Sequence, residues 1–309
     1  MSAPPFDLVP PSGLAAPAAL RRRLTMIVSL ALRIGSTWSG LIGLILVTLV
    51  ILCALAPEFF TSQNPIALKP AIRLQGPDWT HLLGTDQLGR DLYARVIHGA
   101  ATAISIALSG VALAAGAGLL LGLFAGYGPR FLDSMLLLVC DAIVSLPMIL
   151  FALAVVALIG PSLGGLILII VIFTTPSYFR VVRSQVLTLR DSEYVKAARA
   201  MGASPPFIMF RHLVPNLMGP LLVLMAMDVP AVIALESGLS FLGQGVQPPT
   251  PDWGNILSDG YTFIRQAPHI IVAGGMPIIV ATLGFTFLGE ALRDVLDPRS
   301  RSRHAGKGR

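Results

Sequence analysis

"TWSGLIGLILVTLVILCALA", Thr37–Ala56, decides the fold. It runs for 20 residues without a charge. As a helix such a run extends roughly 30 Å, the thickness of a bilayer's hydrocarbon core. The uncharged runs Thr102–Gly128, Leu163–Phe179 and Ile270–Gly289 read the same way. Leu132–Ile159 and Leu213–Leu239 are also long enough, although they contain Asp133, Asp141, Asp228 and Glu236. The expectation is an all-α polytopic membrane protein with six spans, at about 37–56, 102–128, 132–159, 163–183, 213–239 and 270–291. Composition agrees: 54% of the 309 residues are hydrophobic and 12% are charged. A soluble domain carries about a quarter charged residues.

Orientation follows from Lys and Arg, which gather on the cytoplasmic side of membrane proteins. With the N-terminus inside, the inner segments hold Arg21, Arg22, Arg23, Arg33, Arg130, six residues from Arg180 to Arg211 and six from Arg293 to Arg309. The outer segments hold Lys69, Arg73, Arg90, Arg95 and Arg265. That asymmetry predicts both termini in the cytoplasm and accounts for the net charge of +6 without a nucleic acid. Arg21–Arg23 ahead of an apolar run imitate a signal peptide, but the run exceeds a signal core, so an uncleaved span is expected. Cys53 and Cys140 fall within spans and imply no disulfide.

Residues 1–30 are expected to form a cytoplasmic tail, 31–299 the membrane domain and 300–309 a basic tail. Between the first two spans, Pro57–Ala101 is a long outer segment, and Leu88–His98 has the spacing of a short interfacial helix. Gly118, Gly122 and Gly126 repeat G-x-x-x-G, which lets another helix approach closely. Pro147, Pro215, Pro220 and Pro230 predict kinks in spans three and five. Asp141 and Asp228, charged at depth, are expected in the bundle interior or along a wet path. Asp133 and Glu236 lie nearer span ends and read as interfacial, and Ser240–Gly260 as a rigid outer turn.

No G-x-x-x-x-G-K-[ST] occurs, nor H-E-x-x-H or paired C-x-x-C. The chain is therefore expected to be no enzyme, to hold no metal or cofactor, and to take energy for any uphill transport from an ion gradient or another subunit.

One polar stretch interrupts the apolar chain: "SEYVKAARAMGASPPFIMFRHLVPN", Ser192–Asn216. Asp191 or Ser192 is placed to cap a helix, with Glu193 in its first turn. Tyr194, Ala197, Ala198 and Met201 follow helical spacing, and the two alanines are read as room for a partner. Gly202 is a stop, Ser204 a second cap, Pro205 a first helical position and Pro215 the entry to span five. The expected shape is helix, glycine turn, helix, at the cytoplasmic mouth.

This stretch resembles the EAA loop of permease subunits of ATP-binding-cassette importers, with Ala197, Ala198, Gly202 and Pro215 at the motif's positions. It departs at Lys196, where the motif has Glu; Glu193, on a different helix face, is not expected to substitute. "GTDQLGRD" (Gly84–Asp91), "SFLGQGVQPPTPDWG" (Ser240–Gly254) and "LRDVLDPR" (Leu292–Arg299) are similar to the dipeptide/oligopeptide/nickel branch, in particular its C-type subunit. The resemblance implies a type I importer fold in a bacterial inner membrane. It implies a second homologous permease, two ATPase subunits carrying ATP and magnesium, and an external solute-binding protein. It implies that Glu193, Lys196, Ala197, Ala198, Gly202 and Pro215 couple to an ATPase. Asp86, Arg90 and Asp91 are expected to contact partners outside, and Asp141 and Asp228 to line the path. The expected cargo is small peptides; a nickel chelate, glutathione, or a self-sufficient secondary transporter are the alternatives.

Overall fold

The computed structural model describes residues 34–296 together with Leu32. The N-terminal tail, Arg21–Arg23, Arg33 and the basic C-terminal tail lie outside the described residues. Helices make up the architecture: α1 (Trp38–Leu55), α2 (Leu92–Tyr127), α3 (Arg130–Ser145), α4 (Met148–Ile159), α5 (Leu163–Leu189), α6 (Glu193–Ala200), α7 (Val214–Phe241), α8 (Trp253–Thr262) and α9 (His269–Leu296). Among the described residues, five helices are long and apolar enough to cross a membrane, and α3 with α4 make a sixth span if the bent pair counts as one.

That pair departs most from the sequence reading. Instead of one span over 132–159, α3 and α4 meet at 92°. Pro147 cannot donate to the helix ladder and pushes Leu146 into extended backbone (ψ 135°), so α3 ends there. Neither piece alone reaches 30 Å, at about 24 and 18 Å. Pro220 and Pro230 behave differently, since α7 continues as a single helix through both.

The outer helix expected at Leu88–His98 is instead the start of α2, whose N-cap Asp91 accepts from the Ala94 N–H at 2.6 Å. Leu92 and Ala94 are buried, so tertiary packing draws these turns onto the bundle. Ser240–Gly260 likewise contains more than a turn: α8 begins at Trp253, capped by Asp252. The Trp253 ring sits against Gly99 and its indole N–H donates to the Val96 carbonyl at 2.9 Å.

α2 and α5 form the centre, with 44% and 50% of their span windows buried, against 28–33% for α1, α7 and α9. The G-x-x-x-G residues of α2 make that contact. A Cβ on Gly122 would lie 2.7 Å from Val182, and one on Gly126 2.7 Å from Val186. α9 packs between α1 and α7, where Gly43 admits the Leu288 backbone. Cys53 and Cys140 are buried free thiols.

At one end the Arg190 guanidinium donates to the Gly126 carbonyl at 2.8 Å, bringing the C-terminal ends of α2 and α5 together above α6. At the other, residues 57–91 and α8 form a cap. Arg180 and Arg183, counted with the inner-side cations in the sequence, lie inside α5. The charge-free run ended at Phe179, but the helix did not.

Candidate functional site

Ser192–Asn216 folds as helix, turn and helix. α6 ends in a closed Schellman turn: Gly202 N–H donates to Arg199 O at 3.0 Å and Ala203 N–H to Ala198 O at 3.1 Å. Gly202 has φ +83°, a left-handed conformation that glycine enters without Cβ strain. Ser192 and Ser204 occupy N-cap positions without side-chain capping bonds; Ser192 Oγ donates to Leu189 O at 2.5 Å instead. Pro205 opens the second helix, which continues as a π-helical turn, Ile208–Leu213, straight into α7. Pro215 is the second residue of α7, at the expected entry, although the π-helical turn runs into it without a break.

The two faces of α6 do different work. Val195 and Ala198 are buried, joining Ile208 in the main core. Tyr194, Ala197 and Met201 face outward, as do Phe207 and Phe210 beyond the turn. The expected shared face of both alanines is thus corrected: adjacent helical residues diverge by about 100°, and Ala198, 4% exposed, is not available to a partner. Lys196 also differs from expectation. Its ammonium meets Glu193 Oε1 at 3.1 Å, because residues three apart share a helix face. Two contacts tie the element to the bundle. The Arg199 guanidinium lies 5.7 Å from the Tyr127 ring centroid at the end of α2, and Asn216 Nδ2 reaches the Tyr194 hydroxyl at 3.5 Å.

A second feature lies on the open side of α3 and α5. Ser134, Asp141 and Ser145 repeat on the exposed face of α3, and Ser177, Arg180, Ser184 and Thr188 on that of α5. They converge where Arg180 Nη2 donates to Asp141 Oδ1 at 2.8 Å, with the side chains 47% and 63% exposed. One turn along α5, Arg183 makes a two-point contact with Asp133, its Nη2 donating to Oδ2 at 2.7 Å. Asp133 is therefore a helix–helix tie, not an interfacial charge.

Asp228 does not share the open face. It turns toward Tyr178 between α5 and α7, and its buried Oδ2 has no hydrogen-bond partner among the described residues. Glu236, expected at an interface, is fully buried and accepts from the Ser237 and Ser240 hydroxyls at 3.1 Å each.

The outer motif "GTDQLGRD" is a correction of another kind. Asp86, Arg90 and Asp91 are 1%, 4% and 5% exposed, so they do not present side chains to an outside partner. Asp86 Oδ1 accepts from the Leu88 and Arg90 backbone N–H groups, and Oδ2 from Arg90 Nε at 2.6 Å. Asp91 Oδ2 meets His81 Nδ1 at 2.7 Å. Arg90 also reaches Asp259 of α8 at 3.8 Å. Burial raises the Asp259 carboxyl above its ordinary range, against the opposing effects of Gln87 and Arg90. The buried charges thus lock the cap onto α2. Sequence reasoning missed this because it treated an outer charge as a surface charge.

Residues 118–302 match the family of binding-protein-dependent transport system inner membrane components. The chain is 38% identical over 263 residues to a dipeptide transport system permease protein of Alkalihalophilus pseudofirmus, covering 85% of this chain and 86% of that protein. It is 37% identical to a di/tripeptide transport system permease protein of Pseudomonas aeruginosa, covering 83% and 87%. It is 36% identical to a glutathione transport system permease protein of Pectobacterium atrosepticum, covering 74% and 76%. The chain belongs to the family of binding-protein-dependent transport system inner membrane components, the permeases of ATP-binding-cassette transporters.

Proposed function

We propose that this multi-pass membrane permease moves short peptides inward as one of two transmembrane subunits driven by separate ATPases. Its relatives over most of its length are named for dipeptides, di/tripeptides and glutathione, itself a tripeptide, so a peptide backbone is the shared cargo. The observation that supports coupling is the α6 element. Its outward face offers Tyr194, Ala197 and Met201, a shallow surface with a small residue at its centre. Val195 and Ala198 seat its inward face in the core, and Arg199 and Tyr194 reach Tyr127 of α2 and Asn216 of α7. A force on α6 passes directly into α7, because Pro205–Phe241 is continuous helix.

In this account ATP and magnesium stay on the two ATPase subunits. α6 docks on one of them, with Gly202 holding the docking angle and Ala198 seating the helix on the bundle. Glu193 and Lys196 pair beside the contact. An external binding protein delivers the peptide, and α6 and both termini are cytoplasmic. The open polar face of α3 and α5, with Asp141, faces the second permease across the path, while Asp228 tunes packing between α5 and α7.

The test is transport itself. The complex purified from native membranes, placed in vesicles with its binding protein and ATP, is expected to accumulate a labelled di- or tripeptide and not a nickel chelate. ATP-independent uptake driven by an ion gradient would overturn the reading.

A further inference from the structure

The two arginine–aspartate pairs of α5 differ in a way that points to a binding role. Arg183 uses Nε and Nη2 together on both oxygens of Asp133, the closed fork of a structural tie. Arg180 uses only Nη2, on one oxygen of Asp141, and its Nε and Nη1 have no partner among the described residues. The pair is also open, whereas Arg183 and Asp133 are largely covered, at 24% and 19% exposure.

Depth makes that openness informative. Arg180 lies nine residues from the end of α5 and Asp141 eleven from the start of α3, so both stand about 15 Å from the α6 end. α5 has 27 residues, about 40 Å, so Arg180 stands about 26 Å from its other end, on the α6 side of the helix middle. Charged side chains within a spanning helix are costly against lipid and are found facing interiors or water. Ser177, Ser184 and Thr188 continue the polar surface along α5, and Ser145 continues it on α3, where exposed Leu138 separates Asp141 from Ser134.

Resting on the peptide-import reading, we propose that Arg180 is a substrate contact on the open face of α5, toward its α6 end, that takes the C-terminal carboxylate of a passing peptide. Asp141 orients the guanidinium and neutralises it while the path is empty. Because Nη2 gives only one of its two hydrogens to Asp141, its other hydrogen and that of one neighbouring nitrogen leave one edge of the planar guanidinium open to a carboxylate two-point contact. Asp141, exposed and held by a single bond, is free to turn to the peptide's ammonium as the carboxylate arrives.

The experiment compares import of a zwitterionic tripeptide with its C-terminal amide, both saturating the same binding protein, so that the binding protein's own preference cancels between permease variants. Wild-type complex is expected to import the free acid faster. Arg180→Gln should lower the acid-to-amide rate ratio about tenfold, the worth of one charge-assisted contact. Arg180→Lys, which keeps the charge without the fork, should retain the preference with slower import. Equal slowing of acid and amide in Arg180→Gln would make the pair a mere strut and overturn the proposal. If that variant fails to assemble, Arg180→Lys decides: loss of preference overturns the proposal, retention supports it. A wild-type complex that imports neither peptide removes the peptide-import reading, and this proposal with it.

Discussion

Replacing Gly202 isolates the backbone geometry of α6 from every other interaction. Its φ is +83°, and a Cβ added there meets nothing within 4 Å. A substitution therefore meets no clash, only the cost of left-handed backbone. For an ordinary L-residue that is about 1–2 kcal/mol, and a β-branched side chain belongs at the upper end or beyond. Two kcal/mol displaces a conformational equilibrium roughly thirtyfold. The turn can relieve the strain only by breaking the Gly202–Arg199 and Ala203–Ala198 bonds, which swings Pro205 and the entry of α7 relative to α6. Core packing of the spans is untouched, so membrane levels of Gly202→Asn, Gly202→Ala and Gly202→Val should match wild type. Peptide uptake and binding-protein-stimulated ATPase activity should fall in that order, with asparagine mildest because it tolerates left-handed backbone. Wild-type coupling in Gly202→Val would refute the reasoning. So would asparagine scoring worse than alanine, since that ranking follows side-chain size rather than conformation.

Three other perturbations reach different parts of the molecule. Asp86→Asn leaves Arg90 and Arg95 buried without their shared carboxylate; loss of one partner of a buried pair costs about 3–5 kcal/mol, so the cap should become protease-sensitive and the protein scarce in membranes. Gly122→Ile forces α2 from Val182 and should cost about 1–3 kcal/mol in thermal unfolding of the detergent-solubilised complex, partly restored by Val182→Ala. Arg183→Gln should lower thermal stability yet leave the acid-to-amide import ratio unchanged, the reverse of Arg180→Gln.

Much of this was legible in the chain, and the misses have physical causes. Charge-free runs located both ends of α1 and the start of α9 to within a residue, because lipid excludes charge whatever the tertiary packing, but α9 runs past Gly289 to Leu296. The same rule ended the charge-free run at Phe179 and the expected span at 183, although Ser177, Arg180, Ser184 and Thr188 continue the helical period to Leu189 and mark a polar face. Pro147 signalled a break, but its 92° angle depends on what α3 and α4 pack against, which no local pattern states. Ala197 and Ala198 lie about 100° apart on α6, at opposite edges of one broad face, and spacing alone does not say which edge the bundle covers. The burial of Asp86, Arg90 and Asp91 had only a faint signal, a crowded set of opposite charges beside a glycine turn.

The central claim, that the outward face of α6 docks on an ATPase subunit, is tested most directly by paired cysteines in native membranes, with Cys53 and Cys140 replaced by serine. A short thiol cross-linker should join Ala197→Cys to a nucleotide-binding subunit, identified by mass spectrometry, and leave Ala198→Cys unlinked because that side chain is buried against the bundle. Equal capture at both positions, or capture of an ATPase at neither, would contradict the account.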